Sequence, residues 1–169
     1  MLDYAYFHQA KLQECLKKVL KEEKLYFYFM SPSKFFSIPI ERDDWNVIQF
    51  VSLNPCGDLI GFMAAYVDHR NNIVYNMDFI NFYGKPTPIF SRDAKFFFDE
   101  LFVVRKFRKI IFKSISINPA VSMYRKLVKR WGGKEVGVMK ENRLLTDGNY
   151  YDESIFEIYR ESYINATTK

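Results

Sequence analysis

The side chains able to do chemistry are few and scattered. Asn76 and Asp78 stand two residues apart in an apolar stretch, Ile73 to Phe82, that reads as a strand. Period-two alternation puts both on one face of a sheet, where they would either line a cleft or simply face solvent. Two histidines, His8 and His69, and two cysteines, Cys15 and Cys56, are too few for a zinc cage. No Cys-x-x-Cys pair occurs, so no metal or redox centre is expected, and a disulfide scaffold is excluded.

Charge is unevenly distributed. Met1 to Gly84 holds 8 basic and 10 acidic residues, Lys85 to Arg143 holds 15 basic and 5 acidic, and the remainder holds 2 basic and 5 acidic. The positive middle third attracts polyanions: nucleic acid, or the phosphates of a nucleotide cofactor. The plainer account is a set of solvated helix faces. No helix-turn-helix, zinc-finger or RNP motif accompanies the basic run.

The elements that must position these groups follow from periodicity. Leu12, Cys15, Leu16, Val19 and Leu20 recur at helical spacing. Leu25 to Met30 reads as a buried strand or a second helix, and Ser31 to Asp44 as loop. Val47–Leu53, Leu59–Val67 and Ile73–Phe82 read as three strands joined by the turns at Asn54–Asp58 and Asp68–Asn72, an antiparallel meander. Gly84 to Phe90 reads as loop. A helix is expected from Ser91, with Phe97, Leu101 and Val104 buried and Arg105, Lys106, Arg108 and Lys109 at its C-terminal end. Ile110–Ile117 is a strand, and Asn118-Pro119 opens a helix with the apolar stripe Val121, Tyr124, Leu127, Val128 and Trp131. Gly132-Gly133 ends that helix. Lys134–Leu145 and Tyr151–Arg160 then flank the hairpin turn Thr146-Asp147-Gly148-Asn149.

The result is one mixed α/β (α+β) domain over residues 1–169, large enough for its own core and too apolar to be disordered. There is no run of 18 apolar residues and no apolar leader at the N-terminus, so a soluble cytoplasmic protein without a membrane partner is expected.

This order of elements resembles the general N-acetyltransferase (GNAT) superfamily, over roughly Leu12 to Tyr163. The most specific part is the tail. A strand ends in Asn118-Pro119-Ala120, and a helix closes with Gly132-Gly133-Lys134-Glu135-Val136-Gly137. Asp147-Gly148-Asn149-Tyr150-Tyr151-Asp152 then precedes the last strand. The resemblance implies a mostly antiparallel sheet in which Ile73–Phe82 and Ile110–Ile117 run parallel and splay apart at one end. It implies acetyl-CoA as co-substrate. The family's signature for the pyrophosphate, Q/R-x-x-G-x-G/A, falls on Lys85 to Lys95, which contains no glycine but two prolines, Pro86 and Pro88. Each proline removes a donor, and Asp93 adds a negative charge.

The same resemblance implies the site. The backbone of Phe79, Ile80 and Phe82 pairs with the pantetheine and polarises the thioester carbonyl, Phe90, Ser91 and Arg92 with the N–H groups after Ser91 meet the pyrophosphate, and Asn118 is a further cofactor-binding residue. Asp78 is a base or an anchor for the amine. Tyr124, one position before the family's usual tyrosine, is the acid toward the departing thiolate, with a core tyrosine as the alternative. Three functions follow. The first is acetyl transfer from acetyl-CoA to a primary amine of a small molecule or protein, by a monomer or homodimer. The second is a GNAT-fold module without catalysis, which binds or regulates. The third is nucleic-acid binding through the basic 85–143 segment, a partner not otherwise expected. The acceptor would be chosen by loops 26–44 and 84–90.

Overall fold

Seven strands form one sheet in the order β1-β2-β3-β4-β5-β7-β6 in the computed structural model of the chain. The structure describes residues 1–20, 39–40, 42, 45–85, 87–145 and 147–168. The expectations for Leu25 to Met30 and for residues 31–38, with most of the acceptor loop 26–44, lie outside these residues, as do Pro86 and Thr146. By compactness the chain divides into two units, Met1–Tyr66 with Asp78–Glu100 and Val67–Met77 with Leu101–Lys169. Strands β3 and β4 contribute to both.

In the first unit β1 (Leu2–Tyr4), β2 (Val47–Leu53) and β3 (Leu59–Asp68) pair antiparallel, Tyr4 opposite Phe50 and Phe50 opposite Met63. Neighbouring side chains on β2 point to opposite faces. Val51 and Leu53 pack beneath α1 (Gln9–Leu20), whose Leu12 and Leu16 are fully buried with Phe62 and Ala64. Phe50 and Ser52 face α2 (Pro88–Asp99), where the Phe50 ring meets Phe97 edge-on at 5.8 Å. Each such buried apolar side chain contributes roughly 1.5–3 kcal/mol.

Helix α2 begins three residues before the predicted Ser91. Thr87 caps it, its hydroxyl accepting from the Phe90 N–H at 3.1 Å, and Pro88 takes the first helical position. Its missing N–H costs nothing there. At the other end the α-helix stops at Asp99 and widens into a π-turn, Glu100–Val104. The extra residue per turn slips the phase, so Leu101 and Phe102 are buried while Val104 is 65% exposed, contrary to the expected stripe. Three of the four cations expected at the helix end lie in the loop behind that turn, and Lys109 opens β5.

In the second unit β4 (Ile73–Asn81) pairs parallel with β5 (Lys109–Ile115), through Ile73 with Lys109 and Val74 with Ile110. That is the parallel pair the family resemblance implied. β5 pairs antiparallel with β7 (Tyr150–Tyr159), and β7 with β6 (Lys134–Leu144). Helix α3 (Val121–Arg130) starts later than expected. Asn118 does not cap it; its side-chain oxygen accepts from the Ala120 N–H at 2.9 Å, closing a turn that holds Pro119 ahead of the helix. Gly132, at φ +68°, ends α3 in the left-handed region, and the Gly133 N–H returns to the Val128 carbonyl at 2.8 Å. A last helix, α4 (Arg160–Thr167), was not predicted; its Tyr163 is fully buried between Phe102 and Trp131. Among the described residues no helix is long and apolar enough to cross a membrane.

Candidate functional site

The site is best read from the end of β4 into α2, all within the first unit. The Phe82 N–H donates to the Ile60 carbonyl on β3 at 2.9 Å. Successive peptides along a strand point to alternate edges, so the N–H of Ile80 also points toward β3, and those of Phe79 and Asn81 point the other way. The Phe79 side chain lies under α2, stacked on Phe98 at 6.0 Å and edge-on to Phe97 at 5.9 Å, so only its backbone is available to a ligand. The side chains of Ile80 and Phe82 pack on the α1 core.

Asn81, missed in the sequence reading, builds the turn that follows. Its amide donates to the Lys85 carbonyl at 2.7 Å and its oxygen accepts from the Tyr83 N–H at 2.9 Å. Gly84 closes the turn at φ +65°. An asparagine three residues before a glycine was the signal. The chain then enters α2 with Phe90 laid over β3 at Gly61, where an added Cβ would stand 2.3 Å from the Phe90 ring and 2.5 Å from the Ile80 carbonyl oxygen. Gly61 therefore lets β3, β4 and the first turn of α2 come together.

The helix N-terminus offers fewer donors than expected. The Phe90 N–H is taken by the Thr87 hydroxyl, the Ser91 N–H by the Thr87 carbonyl at 3.0 Å, and Pro88 has none. Of the first three helical positions only Ile89 keeps an N–H for a ligand. The N–H groups after Ser91 belong to the helix interior, which corrects their expected role, because α2 starts a turn earlier. Ser91 and Arg92 are exposed. The guanidinium of Arg92 reaches Asp93 Oδ1 at 3.1 Å, and Asp93 is fully buried. Asp93 also accepts from the Ser52 hydroxyl at 2.7 Å and lies 3.0 Å from the Met1 ammonium. Its charge is met beneath the helix, by three partners, rather than presented to an anion.

Asp78 accepts a hydrogen bond from the Tyr66 hydroxyl at 2.7 Å, both on the α1 face. Its partner in the sequence pattern, Asn76, belongs to the second unit. Also in that unit, Tyr124 on α3 sits edge-on to Phe112 at 5.5 Å and to Phe156 at 6.3 Å. Burial pushes its phenol up to about 12. Asn118 is held in the turn before α3. Among the described residues no group of three metal-ligating side chains occurs.

The chain has the fold of the general N-acetyltransferases. It superposes on a spermidine N-acetyltransferase, SpeG, from Vibrio cholerae with a TM-score of 0.73 at 20% identity, over 98% of each chain. A second structure of the spermidine/spermine N-acetyltransferase SpeG from Vibrio cholerae, with manganese ions, gives 0.70 at 19% identity over 99% of this chain and 96% of that one. The chain spans only 63% of another protein, assigned as an acetyltransferase, with a TM-score of 0.58 at 17% identity over 74% of this chain. No family model and no curated protein matches the sequence.

Proposed function

We propose that the protein is an N-acyltransferase that moves the acetyl group of acetyl-CoA to a primary amine. The observation that carries this reading is the path from β4 through the Asn81 turn into the capped start of α2, on a GNAT fold. It pairs a strand edge bearing the Phe79 and Asn81 N–H groups with a helix N-terminus three residues past Gly84. A strand edge can take a pantetheine as an added strand, and a helix N-terminus favours phosphate. The donor set fits a pyrophosphate thinly: the Ile89 N–H, the Ser91 hydroxyl and the Arg92 guanidinium.

In the reaction the amine nitrogen bonds to the thioester carbonyl carbon, the carbon–sulfur bond breaks, and coenzyme A leaves as its thiol. The N–H of Phe79 or Asn81 holds the carbonyl oxygen as it becomes negative, the largest single contribution in such sites. Asp78, oriented by Tyr66, takes the amine proton directly or through water. Tyr124 lies in the second unit, its ring edge-on to Phe112 and Phe156 and its phenol pushed up to about 12 by burial, which supports the core tyrosine over the acid. Asn118 keeps the turn that sets the start of α3.

A second reading has its own support. A first turn with one ligand-facing N–H and no glycine favours a module that has kept the fold without turnover. Thiol release from acetyl-CoA, followed with a panel of primary amines and diamines, separates the two. Turnover above the amine-only rate supports transfer. No turnover, together with a thermal shift by coenzyme A, supports the module. A shift by single-stranded oligonucleotide alone would support nucleic-acid binding instead.

A further inference from the structure

We infer that the loops leading into β4 and β5 dock the second unit on the surface of an anionic bilayer, Val103 and Val104 entering the headgroup layer while the surrounding cations meet lipid phosphates. The π-turn carries this reading. In an unbroken α-helix Val104 would follow Phe97 and Leu101 on the buried stripe. The slipped phase buries Leu101 and Phe102 instead and leaves Val103 45% and Val104 65% exposed, side by side. Single exposed apolar side chains are ordinary. Here two stand in sequence, and exposed Arg105 and Lys106 follow at once, so one small surface is apolar and cationic together.

The topology gathers further cations at this end of the second unit. β4 and β5 start there because they run parallel, and β7 ends there because it runs back against β5. The loops are stapled to one another. The Arg108 N–H donates to the Asn72 carbonyl at 2.9 Å, and the Arg160 N–H to the Arg108 carbonyl at 3.0 Å. Phe107 is buried and anchors the approach to β5, so Lys106 and Arg108 on either side of it stand outside. Arg70 is exposed on the β3–β4 turn. Lys129 and Arg130, exposed at the end of α3, come to the same end of β7, since Gly133 just beyond them lies against the Glu157 carbonyl, 2.3 Å from an added Cβ. The acids on these segments are Asp68, which accepts from the Asn71 amide at 2.6 Å, Glu157, held by Lys109 at 2.6 Å, and the exposed Glu161.

Such an end attracts any polyanion, so the valines decide between partners. A nucleic-acid strand would use the cations and leave both valines in water. A bilayer surface uses both, because apolar side chains enter the boundary between headgroups and acyl chains while cations stay at the phosphates. Tyrosine, with an apolar ring and a polar tip, suits the same layer. Tyr75 and Tyr159 are exposed here on one face, since Ile73 and Tyr159 both pair with Lys109 and Tyr75 is two residues past Ile73. Docking of this kind needs no spanning helix. It rests on the second unit alone and holds with or without acetyl transfer.

The test is co-sedimentation of the full chain with vesicles of phosphatidylcholine alone and of equal parts phosphatidylcholine and phosphatidylglycerol. Binding is expected to the anionic vesicles only, and to weaken with salt. A cation near an anionic surface is worth about fivefold in partitioning, so Arg108→Gln should bind about fivefold less well. Val103→Thr combined with Val104→Thr keeps both β-branched shapes and is expected to weaken binding several-fold with unchanged circular dichroism. In the chain carrying Cys56→Ser, which removes the exposed thiol, an environment-sensitive fluorophore attached in Val104→Cys should shift to the blue on anionic vesicles. One attached in Tyr150→Cys, at the other end of β7, should not. No sedimentation with anionic vesicles, binding indifferent to the two threonines, or an unshifted fluorophore at position 104 would each overturn the inference. Tighter binding to a single-stranded oligonucleotide than to vesicles would give this end to nucleic acid, and a dimer broken by the two threonines would give it to a second copy; either also overturns it.

Discussion

Gly61→Ala probes the packing that joins β3, β4 and α2. In a strand this substitution ordinarily stabilises, because glycine loses more backbone freedom on folding, by about 0.5–1 kcal/mol. Here the new methyl would stand 2.3 Å from the Phe90 ring and 2.5 Å from the Ile80 carbonyl oxygen, where ordinary contact begins near 3.4 Å. Each neighbour must retreat by about 1 Å. The Phe90 ring can swing aside; the carbonyl belongs to β4 and moves only with the strand. Overpacking of this kind costs about 1–3 kcal/mol, so the usual gain reverses to a net loss. A chain of this length loses roughly 2–4 °C of melting temperature per kcal/mol. Thermal unfolding followed by circular dichroism reads the loss, and titration with acetyl-CoA reads the displaced Ile80–Asn81 backbone as weaker binding. Phe90→Ala in the Gly61→Ala background should recover the part due to the ring and leave the part due to the carbonyl. A melting temperature that rises in Gly61→Ala would refute the packing.

Tyr124→Phe should leave turnover unchanged, because its ring packs edge-on to Phe112 and Phe156 and burial holds its phenol up at about 12; a fall of about 10² would give it back the role of acid. The melting temperature should hold, since the substitution keeps the ring. Asp93→Asn should cost about 3 kcal/mol in chemical denaturation, since it removes a buried carboxylate shared by Ser52, Arg92 and the Met1 ammonium. Lys109, at 2.6 Å, holds the Glu157 carboxyl below its ordinary range. A depressed carboxyl stabilises the fold above its unfolded value, near 4.3, and that contribution disappears as pH falls through the folded value. Glu157→Gln should therefore cost roughly 1 kcal/mol at neutral pH and nothing in strong acid. A loss that persists in acid would mean packing, not charge, is what Glu157 supplies.

Much of the fold was legible because it rests on local chemistry. The three meander strands, the strand at Ile110 and the Gly132-Gly133 stop declared themselves through period, turn residues and the need for positive φ, while the parallel pairing of Ile110 came from the family resemblance. Helix α2 was placed a turn late because Ser91 looked like a cap while Thr87-Pro88, the stronger signature, lay inside an apparent loop. The π-turn at Glu100–Val104 could not be read, since helical spacing alone does not register an inserted residue. β1 has three residues and no period, and α4 buries only Tyr163. At the site, the missing glycines were plain in the sequence. The fate of individual donors was not: that the Phe82 N–H goes to Ile60, or that Asp93 turns inward, depends on partners far along the chain.

The central claim is that the end of β4 and the start of α2 receive acetyl-CoA. Calorimetric titration of the full chain with acetyl-CoA, at low and at moderate salt, tests it most directly. The expected result is weak binding that weakens further with salt, is displaced by coenzyme A, and is reduced by Arg92→Ala and by Ser91→Ala. No heat at millimolar acetyl-CoA, with no competition by coenzyme A, would contradict it.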